Sequence, residues 1–493
     1  MFLGTPPEMK MWGRLATRPT TAIIGECGLD SRFRGNDGDE GHGNPAPYSR
    51  SSQHVPWHTT KDENLALPGP RADWSNLADW TSLTRVYVRS RKAVNIRSIT
   101  CFVNIADQSV DNVVRAAGEV ARQVRQALEA AGYAVQTTRL ATQPLSHLPA
   151  GPLALLSELG PAAAQAGFDY LSLGPVLADS AEADLSPIEA LPDLLRAAET
   201  VFASVLVARW GRGIHLDAIR RTAPVISELA HTTEQGFGNL RLAVLANVAP
   251  LAPFFPAAYH DGGPPALAIA TESADLAVSA FSGSGTLDEA RARLLAAVEA
   301  AAAQIGAAVQ PLCAGHGYRY TGLDFSLAPF PEEARSIAAA VERLGVERFG
   351  AAGTLFAASL LTDCLRRAEY PHCGFNGLML PLLEDAVLAA RSREGLFTVN
   401  DLLLYSSVCG TGLDTIPLPG DVSEDELAGI LLDVAALALR LDKPLTARLM
   451  PIPGTQAGDV TAFDFAYFAN GRVLEVKGVG SRGLFERQAW LAI

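Results

Sequence analysis

Cysteine pairs, positive charge and long apolar runs are what this 493-residue sequence has least of. The six cysteines (Cys27, Cys101, Cys313, Cys364, Cys373, Cys409) are scattered with no CxxC spacing, which argues against a disulfide framework or a zinc ribbon and for reduced thiols. Lys and Arg number 40 against 53 Asp and Glu, a net charge of −13, so nucleic acid is not an expected partner: its phosphates call for clustered cations. No uninterrupted apolar stretch reaches the roughly 18 residues of a membrane span, and the N-terminal MFLGTPPEMKMWGR lacks the apolar segment of a signal peptide. The expectation is a cytoplasmic protein with no membrane partner. HExxH, the lysine of a P-loop and the spaced glycines of a dinucleotide site are also missing, which removes the simplest zinc and nucleotide readings.

What is present is a large apolar content, 48%, enough to bury a substantial core in one barrel or several smaller domains. Residues 1–93 stand apart. They hold 12 Lys and Arg against 10 Asp and Glu, leaving 28 against 43 for the remainder, and four of the six tryptophans without a periodic pattern to bury them. The stretch GLDSRFRGNDGD at 28–39 reads like a translated DNA repeat. The expectation is a disordered leader or a misassigned start, with Val94 the candidate first residue, then one domain over 94–477 and a tail over 478–493.

From Val94 onward short apolar runs alternate with longer amphipathic stretches, the pattern of repeated βα units around a largely parallel sheet. Strands are expected at 96–103, 133–138, 168–173, 201–208, 240–248, 266–270 and 318–327, with a long helix over 109–132. Residues 250–265 form a Pro/Gly-rich loop. Ser186-Pro187-Ile188-Glu189, Thr286-Leu287-Asp288-Glu289 and Ser423-Glu424-Asp425-Glu426 have the form of capping boxes, in which a hydroxyl and a carboxylate satisfy free backbone amides. A closed barrel is the simplest packing, and it would put the chemistry at the C-terminal strand ends.

Four segments carry a family resemblance: GLDFSLAPFPEEARSI (322–337), GFNGLMLPLLED (374–385), CGTGLDTIPLPGDVS (409–423) and DKPLTARLMPIPG (442–454). Together they resemble the domain-of-unknown-function family 711 (DUF711), whose members are similar in fold to pyruvate formate-lyase. The resemblance runs from about Val94 to Lys477 and implies an α/β fold with a closed barrel of about ten strands. It supplies no reaction and no cofactor. Glycyl-radical enzymes carry a C-terminal glycine in an Arg-Val-x-Gly context; here Arg472-Val473-Leu474-Glu475 puts Glu in its place, so non-radical chemistry is expected. The resemblance also suggests a small amino-acid-sensing regulatory protein as partner, and a homo-oligomer is a further possibility.

The candidate catalytic residues are Cys409, Asp414, His316 and Asp324. Cys409 opens the small-residue turn Gly410-Thr411-Gly412, where a ligand could approach the backbone and nearby amides could activate the thiol; the ordinary alternative is a buried packing cysteine. Asp414 and Asp421, which bracket a Pro417-Leu418-Pro419-Gly420 turn, and Asp324, in a strand-like run, could supply general acid and base or hold a hard cation, or the turn aspartates could cap their own backbone. His316, between two glycines, could shuttle protons or belong to a turn; His260-Asp261 and the His372-Cys373 pair are weaker versions of the same idea. Arg209 and Arg212 after a strand, Arg448 within another, and Asn376 in GFNG are candidate substrate-binding residues, the arginines as carboxylate or phosphate clamps. Ser282-Gly283-Ser284-Gly285-Thr286 could greet an anion at a helix start or simply cap it. The combined expectation is an enzyme acting on a small polar or anionic metabolite by thiol or acid/base chemistry. The alternatives are a non-catalytic ligand-binding protein on the same barrel and a metal-assisted hydrolase or isomerase.

Overall fold

The computed structural model describes residues 94–106, 109–148, 151–478 and 481–493; the expected leader at 1–93 lies outside the described residues, and Val94 is the first of them. The chain begins with β1 (Asn95–Phe102), α1 (Val110–Ala130), β2 (Val135–Ala141), α2 (Pro152–Gln165), β3 (Tyr170–Leu177), α3 (Leu191–Ala197), β4 (Val201–Arg209), β5 (Gly213–His215), α4 (Leu216–Thr232) and β6 (Leu242–Ala246). Each crossover helix has one apolar face. In α1, Val114, Ala117, Ala121, Val124 and Leu128 are buried at helical spacing, and Gly132, at φ 90°, accepts the left-handed conformation that ends the helix.

The second half runs β7 (Ala266–Glu272), α5 (Ala274–Ser282), α6 (Leu287–Gly315), β8 (Arg319–Ala328), α7 (Ile337–Arg343), α8 (Thr354–Arg367), α9 (Ala386–Arg393), α10 (Val399–Ser406), β9 (Gly412–Pro419), α11 (Glu424–Arg440), β10 (Leu445–Ile452), α12 (Arg482–Phe485) and β11 (Trp490–Ala492). Helix α6 is long and apolar enough, by length and composition, to cross a membrane, which the reading of uninterrupted runs passed over. Its buried residues, Ala290, Leu294, Val298, Ala302, Ile305, Val309 and Cys313, form a single face.

The strands make one mixed sheet in the order β8-β7-β1-β2-β3-β4-β6-β10-β9, with β5 and β11 as a side extension. Strands β1, β2, β3, β4 and β6 are parallel, whereas β7 lies antiparallel to β1, β10 antiparallel to β6, and β8 and β9 follow β7 and β10. The sheet is thus mixed where a largely parallel one was expected, and among the described residues the strand ladders do not join β8 to β9. The segment at 371–383 makes contact with both. It receives Leu323 N at Pro371 O (2.8 Å) and donates Met379 N to Ser326 O (3.1 Å) on β8, and Pro381 bridges Asp414 on β9.

The glycines of GFNG and CGTG belong to this junction. A Cβ placed on Gly377 would lie 2.0 Å from the Gly410 Cα, and one on Gly410 would lie 2.2 Å from the Gly377 Cα. The two backbones touch, so the small residues make room for each other. The expected Pro417–Gly420 turn is also corrected: Pro417, Leu418 and Pro419 lie in β9, which pairs through β10 alone among named strands, and a strand at the end of a sheet tolerates residues without an amide hydrogen.

The loop at 250–265 folds back on itself, with Leu251 N donating to Tyr259 O (2.8 Å), and enters the sheet from the C-terminal ends of the five parallel strands. There Tyr259 Oη donates to Val248 O (2.8 Å) and His260 N to Thr142 O (2.9 Å). Its carbonyls are met by hydroxyls from otherwise apolar strands: Thr100 Oγ1 donates to Pro253 O (2.9 Å) and Ser172 Oγ to Ala258 O (2.8 Å). Buried backbone oxygens without a ladder require such partners. The loop thus fills the C-terminal end of the parallel half, where the barrel rule had placed the chemistry.

Local capping follows the sequence only in part. Ser423 and Glu426 form the full reciprocal box, while Thr286 caps Glu289 N but Glu289 turns to Gly285 N instead. Ser186 forms no side-chain cap; its stretch is a 3-10 turn with Asp184 accepting from Ser186 N at 2.9 Å. Thr398 and Asp401 make a capping box that the sequence reading missed. At the C-terminus β11 pairs with β5, and Trp490 packs edge-on against His215 with ring centroids 5.6 Å apart.

Candidate functional site: an arginine-walled cavity

A cavity of about 800 Å³ lies near the start of the parallel strands, at the end opposite the inserted loop's entry. Arg97 on β1, Arg139 on β2, Tyr170 on β3 and Phe202 on β4 come from one half of the sheet; Asp414 on β9 and Arg448 on β10 come from the antiparallel half. The loop tip contributes Phe254 and Phe255, and the segment at 463–468 contributes further aromatic rings. Its size is that of a site for a small metabolite, with an apolar lining and a few converging polar groups.

The polar wall is an ion-pair chain. Glu384 is held between Arg97 Nη2 (2.7 Å) and Arg448 Nη2 (2.9 Å), and Arg448 Nε also binds Asp414. Arg97 continues to Glu272 at 3.5 Å, which further accepts from Arg335, Gln136 and, at 3.1 Å, Asn95. The register of β1 against β7 shifts between Ile96 and Ser98, and Arg97 sits in that irregularity. Burial works against the Arg448 charge, yet Asp414 and Glu384 more than offset it and hold its pKa above the ordinary value. Such a chain fixes geometry; its net contribution to stability is small because the charges are desolvated, but removing one member leaves a buried charge unmatched.

Arg139 differs from its neighbours. It is 7% exposed, and no carboxylate among the described residues comes within ion-pair distance. Its Nε donates to Thr137 Oγ1 at 2.9 Å, while the guanidinium carbon lies 5.7 Å from the Tyr170 ring centre and 5.1 Å from that of Phe255. Burial, followed by the Arg97 charge, pushes its pKa down to about 9, so it remains a cation at neutral pH. Tyr170 is pushed up to about 12 by burial and stays neutral.

Of the residues singled out in the sequence, Asp414, Arg448 and Thr411 line this cavity. Cys409 does not: it is fully buried in the main apolar core, and its carbonyl accepts from the Lys443 ammonium, as do those of Ser406 (2.9 Å) and Ser407 (3.2 Å). Gly410 and Gly412 serve backbone packing, the latter at φ 94° with its would-be Cβ 2.3 Å from Thr446 O. Asp324 is buried and accepts from Phe375 N (2.7 Å), Asn376 N (3.1 Å), Ser326 N (3.1 Å) and Ser326 Oγ. Its pKa rises to about 6 through burial, against those hydrogen bonds. Asn376, at φ 44°, spends its side chain on Phe325 N (3.0 Å), Tyr370 Oη (2.6 Å) and Cys373 O (2.6 Å). Both residues anchor the 371–383 segment to β8.

His316 caps the C-terminal end of α6 on the surface, 3.1 Å from Gln123 Oε1. Arg209 and Arg212 share Asp179 at 2.5 and 3.1 Å, at the far end of β4. His260 contacts Pro264 O (3.3 Å), its pKa lowered by burial; Asp261 pairs with Arg319 at 2.8 Å; Asp421 is exposed. His372 contacts Ala368 O at 2.9 Å, and burial pushes the Cys373 thiol well up. Asp324, Asp414 and Asp421 therefore do not converge, and among the described residues no group of three His, Cys, Asp or Glu could hold a metal ion.

Sequence reasoning missed Arg97, Arg139 and Glu384. Glu384 lay inside the GFNGLMLPLLED segment, and the two arginines stand in strands that are otherwise buried, which was the available signal.

A family model described as Uncharacterised ACR (DUF711) matches residues 88–467. The UPF0210 protein of Pyrobaculum aerophilum is 33% identical over 403 residues, covering 75% of this chain and 87% of its own length. The UPF0210 proteins of Methanopyrus kandleri (29% over 405 residues, 74% and 88%) and Desulforudis audaxviator (30% over 406 residues, 75% and 88%) are similar over the same extent.

Proposed function

The chain belongs to the uncharacterised DUF711 family, and from its cavity we propose that it binds a small anionic metabolite there, anchored by Arg139. The observation that carries this reading is a buried guanidinium facing a cavity of about 800 Å³ with no carboxylate of its own. A buried cation is costly unless compensated, and a ligand anion is the compensation this cavity lacks. Fixed ion pairs, running from Arg97 beside Arg139 through Glu384 to Arg448 and Asp414, give the cavity a rigid polar side against which a ligand is oriented.

Turnover by acid/base chemistry is the second reading, favoured by Asp414, a carboxylate that faces the cavity and is paired with one arginine. The thiol route finds no support in this cavity, since Cys409 lies outside its lining. We also read the sheet as a working barrel, in which the segment at 371–383 stands where a tenth strand would join β8 to β9; its hydrogen bonds to both strands support that reading.

The test is thermal denaturation of the full chain against a panel of small organic anions and their neutral amides, with Arg139→Gln as control. Stabilisation by an anion, absent with its amide and in the variant, is expected. Equal stabilisation by the neutral compounds, or an undiminished effect in the variant, overturns the reading.

A further inference from the structure

Resting on that reading, we infer that the ligand is a monocarboxylate carrying an aromatic or similarly flat apolar body, held end-on by the two Nη groups of Arg139. The geometry around this side chain selects both halves of the molecule. Tyr170 and Phe255 lie beside the guanidinium at 5.7 and 5.1 Å, and Phe202 meets both rings edge-on, at 5.1 and 5.4 Å between centroids. The rings restrict approach to the guanidinium faces, and Thr137 occupies Nε. What remains is the Nη1–Nη2 edge, for which no acceptor is found among the described residues. Two parallel donors at the end of a planar cation match the two oxygens of one carboxylate.

Charge sets the valence. Among the deep cavity groups, Arg97 and Arg448 are committed to Glu384 and Asp414, and Arg241 spends its Nη1 on the carbonyls of Leu195, Ala198 and Val201, so Arg139 is the cation whose Nη groups meet neither a carboxylate nor a carbonyl among the described residues. One negative charge neutralises it. A phosphate, at about −1.5 to −2, would leave buried charge uncompensated. The rest of the ligand meets rings: Phe237, Phe463, Phe465 and Phe468 pack edge-on or tilted at 5.1 to 6.2 Å between centroids, a lining suited to a flat apolar group.

The experiment is calorimetric titration of the full chain with 3-phenylpropionate, 3-phenylpropanamide, succinate and inorganic phosphate, on wild type, Arg139→Gln and Arg139→Lys. Circular dichroism establishes that each variant is folded. Expected is saturable binding of 3-phenylpropionate, weaker by about tenfold or more for the amide and in Arg139→Gln, with Arg139→Lys intermediate because it keeps charge without the fork. Arg139-dependent binding of phosphate or succinate in preference to 3-phenylpropionate overturns the ligand class and leaves the anion site standing. Absence of Arg139-dependent binding by all three anions overturns both. Should Arg139→Gln not fold, Arg139→Lys and the amide carry the same decision.

Discussion

Replacing Glu384 by Gln probes the cavity wall most directly, because this carboxylate is shared by Arg97 at 2.7 Å and Arg448 at 2.9 Å. The amide keeps shape and one acceptor oxygen but removes the charge. Taking one partner from a buried pair costs about 3–5 kcal/mol when the survivor is left alone. Here neither survivor is alone: Arg97 still reaches Glu272 at 3.5 Å, and Arg448 keeps Asp414. The residual pairing brings the expected loss to about 2–3 kcal/mol, above the roughly 0–1 kcal/mol of an exposed pair. The same substitution leaves the cavity richer in positive charge, so a bound anion should restore what was lost. At a hundred times its Kd, a ligand specific to the folded chain contributes about 2.7 kcal/mol. Urea unfolding of wild type and Glu384→Gln, with and without 3-phenylpropionate at constant ionic strength, measures both effects. A loss below about 0.5 kcal/mol would show that the wall is solvated like a surface, and a loss that no anion diminishes would show that the freed charge does not face the cavity.

Asp275 gives a pH signature: burial pushes its pKa up from 3.8 to about 7, with Glu272 adding and Arg335 opposing. The folded chain binds this proton more tightly than the unfolded one, so the destabilisation is absent below pH 3.8, grows as pH rises to about 7 and is constant above. Asp275→Asn should therefore stabilise at pH 8 and progressively less toward pH 4, and a pH-independent difference in unfolding free energy would contradict this. Gly410→Ala should unfold the junction with the 371–383 segment, since its Cβ meets backbone at 2.2 Å, whereas Gly306→Ala in α6 meets nothing within 4 Å and should stabilise by about 0.5–1 kcal/mol. Similar melting curves for the two variants would refute that contrast. Cys409→Ser should leave binding of 3-phenylpropionate unchanged, and the native thiol should resist alkylation until the chain unfolds; an affinity change of tenfold or more would return the thiol to the site.

The positions of the strands were legible because apolar runs bounded by glycine and polar residues mark buried strands: 201–208 became Val201–Arg209 and 96–103 became Asn95–Phe102. Their directions were not. A strand covered on both faces carries the same apolar run whichever way its neighbour points. The direction changes where the connection carries no helix, and the Pro/Gly-rich 250–265 between β6 and β7 was the visible sign that the βα rhythm had been broken. That same loop enters at the C-terminal strand ends, where the barrel rule had placed the chemistry, and the cavity lies at the other end.

Arg139 was lost for a narrower reason. The second strand was expected to stop at residue 138, but it runs from Val135 to Ala141, and alternation then puts Arg139 on the same face as Thr137 and Ala141. Ala141 packs with Phe102 and Phe255, so that face is the interior. A guanidinium there needs an explanation that a guanidinium at a strand's outer end does not. Cys409 was the converse case: its glycines suggested space for a ligand, yet their backbones are in contact with another part of the chain. Glycine reports close approach without saying of what, whereas a buried charge without a partner states the sign of what must approach it. For this chain the second kind of evidence selects the site, because Arg139 asks for an anion and Cys409, packed among aliphatic side chains, asks for nothing.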